Sequence, residues 1–286
     1  MRAFKIVDVF TSEPLQGNPV AVVLQADGLT QQQMQQIAAW TNLSETTFHL
    51  SPTDPDADYR LRIFTPRSEL PFAGHPTLGS AHALIEAGLI SPVGDVVVQE
   101  CSIGLVPVSL DREAGALRLR MPPAQLRDLA QDEQDRLADV LGAPLAAGCR
   151  PMLVDVGARW IVAELADAEA VIRLEPDLSA SAQLERDLEA TGISVFGRHA
   201  SGPDQIEVRS FAPSCGISED PVCGSGNGAI AAYRLDRGDL MDGAAYRAAQ
   251  GRCVNRAGQI SLRIEGNRIF VGGLAVTTVE GRIAAS

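Results

Sequence analysis

The chain has 286 residues, 45% of them hydrophobic and 21% charged, which excludes a disordered protein and fits one large domain or two ordinary ones. Its net charge of −12 argues against a nucleic-acid partner. No apolar run has the length of a membrane span, and MRAFKIVDVF is too short and strand-like for an export signal, so a cytoplasmic chain with reduced thiols is expected.

In chain order, FKIVDVF (4–10) and NPVAVVL (18–24) read as strands by their β-branched content. Thr30 is placed to cap a helix running to about Trp40, with Met34, Ile37 and Ala38 on one face. TTFHL (46–50) and YRLRIF (59–64) alternate as strands do. Pro76 suits the first turn of a second helix, and Gly88 its end. DVVVQE, LVPVSL and ALRLRM follow as strands, and MPPAQ (121–125) marks a boundary, since two prolines continue neither helix nor strand. An additional helix is expected over DEQDRLADVLG (132–142).

The remainder repeats what came before. RIFTP (62–66) returns as RSFAP (209–213), and PFAGHPTLGSAHALIEAGLI (71–90) has the layout of PVCGSGNGAIAAYRLDRGDL (221–240). Pro71 and Pro221, Gly74 and Gly224, and Gly88 and Gly238 lie 150 residues apart, and QMQQIAAWTN (33–42) aligns with QLERDLEATG (183–192) at the same offset. VSL (108–110) is echoed by ISL (260–262). The period is too long for a solenoid and implies two similar halves. The expected division is 1–120 with 275–286, and 121–274.

A duplicated fold favours a site in the cleft between its copies. Two helix N-termini facing such a cleft would offer N–H groups and positive dipole ends to a small anion, typically a carboxylate. Glu45, at the entry to a strand after Ser44, aligns with Ile193 in the second half, so the fold itself asks for no acid there. A carboxylate against an apolar wall has a raised pKa, suited to proton transfer. His75 and Asp220 are polar members of the two loops; Ser225 aligns with His75, and Cys223 with Ala73. A thiol at a helix N-terminus allows two readings, a lowered pKa or a small buried residue.

The five cysteines show no CxxC, and the four histidines no HExxH, so no metal is expected. GSGNGA (224–229) resembles a dinucleotide fingerprint, but Pro221 interrupts the strand that fingerprint requires. No GxSxG elbow surrounds Ser44 or Ser225.

LQGNPVAVV, NLSETTF, RIFTPRSELPFAGHPTLGSA and SFAPSCGISEDPVCGSG, in that order over nearly the whole chain, resemble the phenazine-biosynthesis PhzF-like family. The resemblance implies an α+β, diaminopimelate epimerase-like fold. It would have two pseudo-symmetric domains, each a curled mixed β-sheet around a central helix. It also implies no cofactor, no metal and a homodimer. The namesake enzyme isomerises trans-2,3-dihydro-3-hydroxyanthranilate by moving a proton. By resemblance, Glu45, His75 and Asp220 are the candidate catalytic residues. Asn18, Ser44, Gly74, Gly224, Ser225 and Cys223 are the candidate substrate-binding residues. Cys223 stands where many members have threonine, and GSGNG where they have GSA.

The implied function is a cofactor-independent isomerase of a small carboxylated substrate. An epimerase or racemase using Cys223 as a base is one alternative. A non-catalytic protein that binds small acids is another.

Overall fold

A computed structural model describes residues 1–284. The chain divides into two compact units, one of Met1–Leu119 with the residues from Gly272 onward, the other Arg120–Val271. Both are mixed sheets with helices, an α+β architecture with six helices of more than one 3-10 turn among the described residues.

In the first unit β1 (Arg2–Val9) pairs antiparallel with β2 (Asn18–Val23). Helix α1 (Gln31–Thr41) crosses to β3 (Glu45–Leu50), parallel to β2. Thr30 and Gln33 form a reciprocal capping box at its start, and Asn42 ends it at φ 53°. Met34 and Ala38 enter a core with Phe48 and Phe64, with Ile37 packed against it. The antiparallel β4 (Tyr59–Phe64) and the short β5 (Glu69–Leu70) lead into helix α2 (Gly74–Glu86). β6 (Val96–Cys101) then lies parallel to β4, and β7 (Gly104–Asp111) and β8 (Ala116–Arg120) continue as a meander.

Helix α2 is buried on nearly every side from Pro76 to Leu84, as suits a central helix. Its contact with the sheet is close because of Gly79: a Cβ there would meet Val20 Cγ1 at 2.4 Å and Val9 Cγ2 at 2.9 Å.

The second unit opens, after the proline pair, with β9 (Gln125–Asp128) and α3 (Gln131–Leu141). β10 (Met152–Asp155) pairs antiparallel with both β9 and β11 (Arg159–Glu164). Helices α4 (Ala168–Ile172) and α5 (Leu178–Asp187) cross to β12 (Gly192–Arg198), parallel to β11. β13 (Ile206–Ala212) and β14 (Ile217–Asp220) precede α6 (Gly224–Asp236). β15 (Ala245–Gln250) runs parallel to β13, β16 (Gly258–Glu265) antiparallel to β15, and β17 (Arg268–Gly273) closes the unit. The last strand, β18 (Ala275–Ile283), pairs antiparallel with β1.

The sequence of pairings is therefore the same in both units: antiparallel, parallel crossover, antiparallel hairpin, central helix, second parallel crossover. The register corrects one expectation. Asn42 and Glu189 both end a helical segment with positive φ, 53° and 52°, and stand 147 residues apart. α1 thus matches α5 at that offset, and 183–192 is half helix and half entry to β12, no counterpart of 33–42 at 150. The hairpin before α6 is three residues longer, because a 3-10 turn at Pro213–Cys215 is inserted there, so 147 becomes 150 only beyond it.

Candidate functional site

Glu45 is the first residue of β3, beside Val20 of β2. Its carboxylate is largely buried, and its Oε2 lies 3.4 Å from Nε2 of His75. Burial pushes its pKa above the usual carboxylate value, while a hydrogen bond from the Ser44 side chain opposes the rise. His75 is the second residue of α2; its backbone lies at the dipole-positive end, where Ala73 supplies no side-chain cap. Thr77 holds that turn instead, its hydroxyl donating to Ala73 O at 2.9 Å. Gly74 has open surroundings, with Leu119 Cδ1 at 4.0 Å from a built Cβ, so sterics do not require glycine there. Asn18 is buried at the head of β2, opposite Val9. Asn18, Ser44, Glu45, Gly74 and His75 all belong to the first unit; the strand and helix starts bring Glu45 and His75 together.

The second unit holds Asp220, Cys223, Gly224 and Ser225 around the start of α6. Val222 N–H donates to Asp220 Oδ1 at 3.1 Å, closing a turn over Pro221. Cys223 is the N-cap residue, and its Sγ accepts from Gly226 N–H at 3.3 Å. The thiol is buried, and burial together with the charge of Asp220 pushes its pKa well above the usual thiol value. Of the two readings of this thiol, the small buried residue holds and the lowered pKa does not: loss of water outweighs the helix dipole. Ser225 Oγ accepts from Trp160 Nε1 at 3.1 Å and lies 3.6 Å from Cys223 Sγ.

Three further residues fix this loop, each with only a weak signal in the sequence. Gln250, at the end of β15, donates from Nε2 to Asp220 O at 3.0 Å. Its Oε1 accepts from Cys223 N–H at 3.1 Å and from Asn227 Nδ2 at 2.8 Å. Asn227 also donates to Cys223 O at 3.0 Å. Its signal was a lone amide among the small residues of GSGNGA. Gln250 offered only a polar residue before Gly251, and Trp160 no signal beyond its bulk.

The pairing of Glu45 with Ile193 is also corrected. Thr46 stands opposite Phe64 and Ile193 opposite Phe211, the phenylalanines of RIF and RSF. The counterpart of Glu45 is consequently Gly192. A Cβ on Gly192 would lie 2.2 Å from Phe211 O and 2.7 Å from Trp160 Cζ3. Val20 flanks Glu45, whereas Trp160 flanks Gly192. One unit places an acid beside a small neighbour; the other places an indole beside no side chain.

Among the described residues no cluster of three or more His, Cys, Asp or Glu has the arrangement of a metal site, and no helix is long and apolar enough to cross a membrane.

Residues 7–281 match the family described as phenazine biosynthesis-like protein. Antisense-enhancing sequence 1 of Schizosaccharomyces pombe is 39% identical, with 98% of each chain covered. Trans-2,3-dihydro-3-hydroxyanthranilate isomerase of Pseudomonas aeruginosa is 35% identical, with 99% of each covered. The crystal structure of a PhzF-family phenazine biosynthesis protein from Bacillus anthracis superposes with a TM-score of 0.88. It is 25% identical, with 99% of each chain covered.

Proposed function

The chain belongs to the phenazine biosynthesis-like family and is an isomerase, and from that premise we propose that it moves a proton on a small carboxylated amino- or hydroxy-acid substrate without a cofactor. The observation that carries this reading is Glu45, a buried carboxylate of raised pKa within 3.4 Å of the His75 imidazole. A carboxylate shifted upward gains basicity while remaining able to return the proton, which is what a group that both removes and delivers a proton needs.

In the proposed reaction the Glu45 carboxylate takes a proton from a carbon of the substrate. The electron pair left behind spreads into the conjugated substrate. Glu45, now the acid, delivers the proton at another carbon, so charge and atoms balance with no redox partner. Backbone N–H groups at a helix start would hold the substrate carboxylate and the negative charge that develops. His75 would stabilise the same charge. Asp220 and Ser225 would bind the amino or hydroxyl group. An epimerase built on Cys223 is disfavoured by the raised pKa of that thiol and by alanine at the corresponding residue 73.

The test is proton NMR in deuterated buffer, with trans-2,3-dihydro-3-hydroxyanthranilate and a panel of chiral amino and hydroxy acids. The expected result is deuterium at carbon in one of them, lost in Glu45→Gln while the acid still binds. Exchange at the parent rate in Glu45→Gln would remove Glu45 as the base.

A further inference from the structure

Each unit carries the same ionic clasp just ahead of its central helix. In the first, Arg62 of β4 reaches across the hairpin to Glu69 of β5, with Nε to Oε1 and Nη2 to Oε2 both at 2.7 Å. In the second, Arg209 of β13 grips Glu219 of β14 through the same atoms at 3.0 and 2.8 Å. Both guanidinium groups also lie over the phenylalanine two residues on, Phe64 at 5.2 Å and Phe211 at 4.9 Å. The glutamate stands in each case six residues before the second helical residue, His75 or Ser225.

The second clasp is the more deeply buried. Arg209 adds donations from Nη1 to the carbonyls of Val171 and Leu174, at the end of α4 and just beyond it. Its guanidinium thus joins β13, β14 and the α4 region. A two-pronged pair held in this way fixes both distance and orientation. The residue after Glu219 is Asp220. Successive side chains of a strand point to opposite faces. Once Glu219 is clasped on one face, Asp220 is turned to the other, opposite Ser210, where its Oδ1 accepts from Val222 N–H and its charge acts on Cys223, the N-cap of α6.

We propose that Arg209 and Glu219 are positioning residues that hold Asp220 in register with Cys223 and Ser225, and that Arg62 and Glu69 do the same for the loop carrying His75. The inference builds on the role proposed for Asp220, but its test reads where Asp220 sits and not whether the chain turns anything over.

The reporter is the Cys223 thiol, because Asp220 is one of the two causes holding its pKa high. In the full chain, iodoacetamide alkylation of Cys223 is followed across pH and resolved from the other four cysteines by peptide mass spectrometry. Asp220→Asn is expected to lower the pH midpoint of alkylation. The paired change Arg209→Met with Glu219→Leu removes both charges together and retains bulk, which buried ion pairs commonly tolerate. It is expected to lower the midpoint similarly, and Asp220→Asn added to it should produce little further shift. Arg209→Lys, with one prong, should fall between parent and pair.

A paired variant that titrates as the parent does would overturn the proposal. So would a second, additive shift on adding Asp220→Asn, since the clasp would then govern only the burial of the thiol. An unchanged midpoint in Asp220→Asn alone would overturn the contact on which the argument stands. If activity fails to appear with every acid tried, the functional reading falls while these midpoints still decide the clasp.

Discussion

Trp160 donates its indole N–H to the hydroxyl of Ser225, fixing that hydroxyl as an acceptor on one side and leaving its own proton to be directed elsewhere. Trp160 is 2% exposed and Trp40 77%, and the chain has two tryptophans. Trp160→Phe keeps most of the ring volume but removes the donor. It should cost about 0.5–1.5 kcal/mol, against about 3–5 kcal/mol for Trp160→Ala. Urea midpoints measure both. The emission of Trp160→Phe should shift to the red, because water-exposed Trp40 is then the sole emitter. An unchanged emission maximum would contradict the burial of Trp160.

The raised pKa of Glu45 has a sign that can be checked. The folded chain binds this proton more tightly than the unfolded chain, so folding is opposed as pH rises from the ordinary value near 4.5 through the raised one. Glu45→Gln has no charge to bury. Its melting temperature relative to the parent should therefore increase between pH 4.5 and neutrality, with the difference smallest at the acid end. A difference that shrinks with rising pH would show that the carboxylate is stabilised as an anion.

Catalysis should respond in the opposite direction. Glu45→Gln keeps hydrogen-bonding capacity but accepts no proton, so the rate of C–H exchange should fall by about 10²–10⁴, the usual contribution of a general acid or base. Cys223→Ser should leave most of the activity, since a buried thiol of raised pKa is a poor base. The ratio of the two losses, measured on the same substrate, separates the carboxylate mechanism from a thiol one.

Gly79→Ala tests the packing of α2. The added methyl would press on the side chains of Val20 and Val9, so a loss of about 1–3 kcal/mol is expected by thermal or urea denaturation. Val20→Ala in the same chain should recover part of it, because the nearest clash is with that side chain. Full tolerance of Gly79→Ala would place the helix farther from β1 and β2.

Much of this architecture is legible in the chain. Thr30 announces α1, the alternation of YRLRIF gives β4, and the two Gly-containing loops mark the starts of α2 and α6. These signals are local, and local chemistry decides them. The register between the copies is not local. The offset between the copies is 147 before the insertion and 150 after it, and Gly192 replaces Ile193 as the counterpart of Glu45 only once Thr46 and Ile193 are seen facing their phenylalanines. The Cys223 thiol was left between two readings for a related reason: its position in sequence reveals the helix dipole but not the depth of burial that outweighs it. Gln250 was hidden because its partners are 23 to 30 residues away in sequence.

The crowding at Gly192 also limits which substitutions this position can accept. Placing an acid there, to give both copies a carboxylate, would require shrinking Trp160 and also moving the Phe211 carbonyl, a backbone atom that no substitution removes. No single substitution gives a symmetric pair of carboxylates, and shrinking Trp160 to make room for one would strip Ser225 of its donor. Matching strand starts in the two halves therefore tolerate different substitutions, because only the second is hemmed in by backbone.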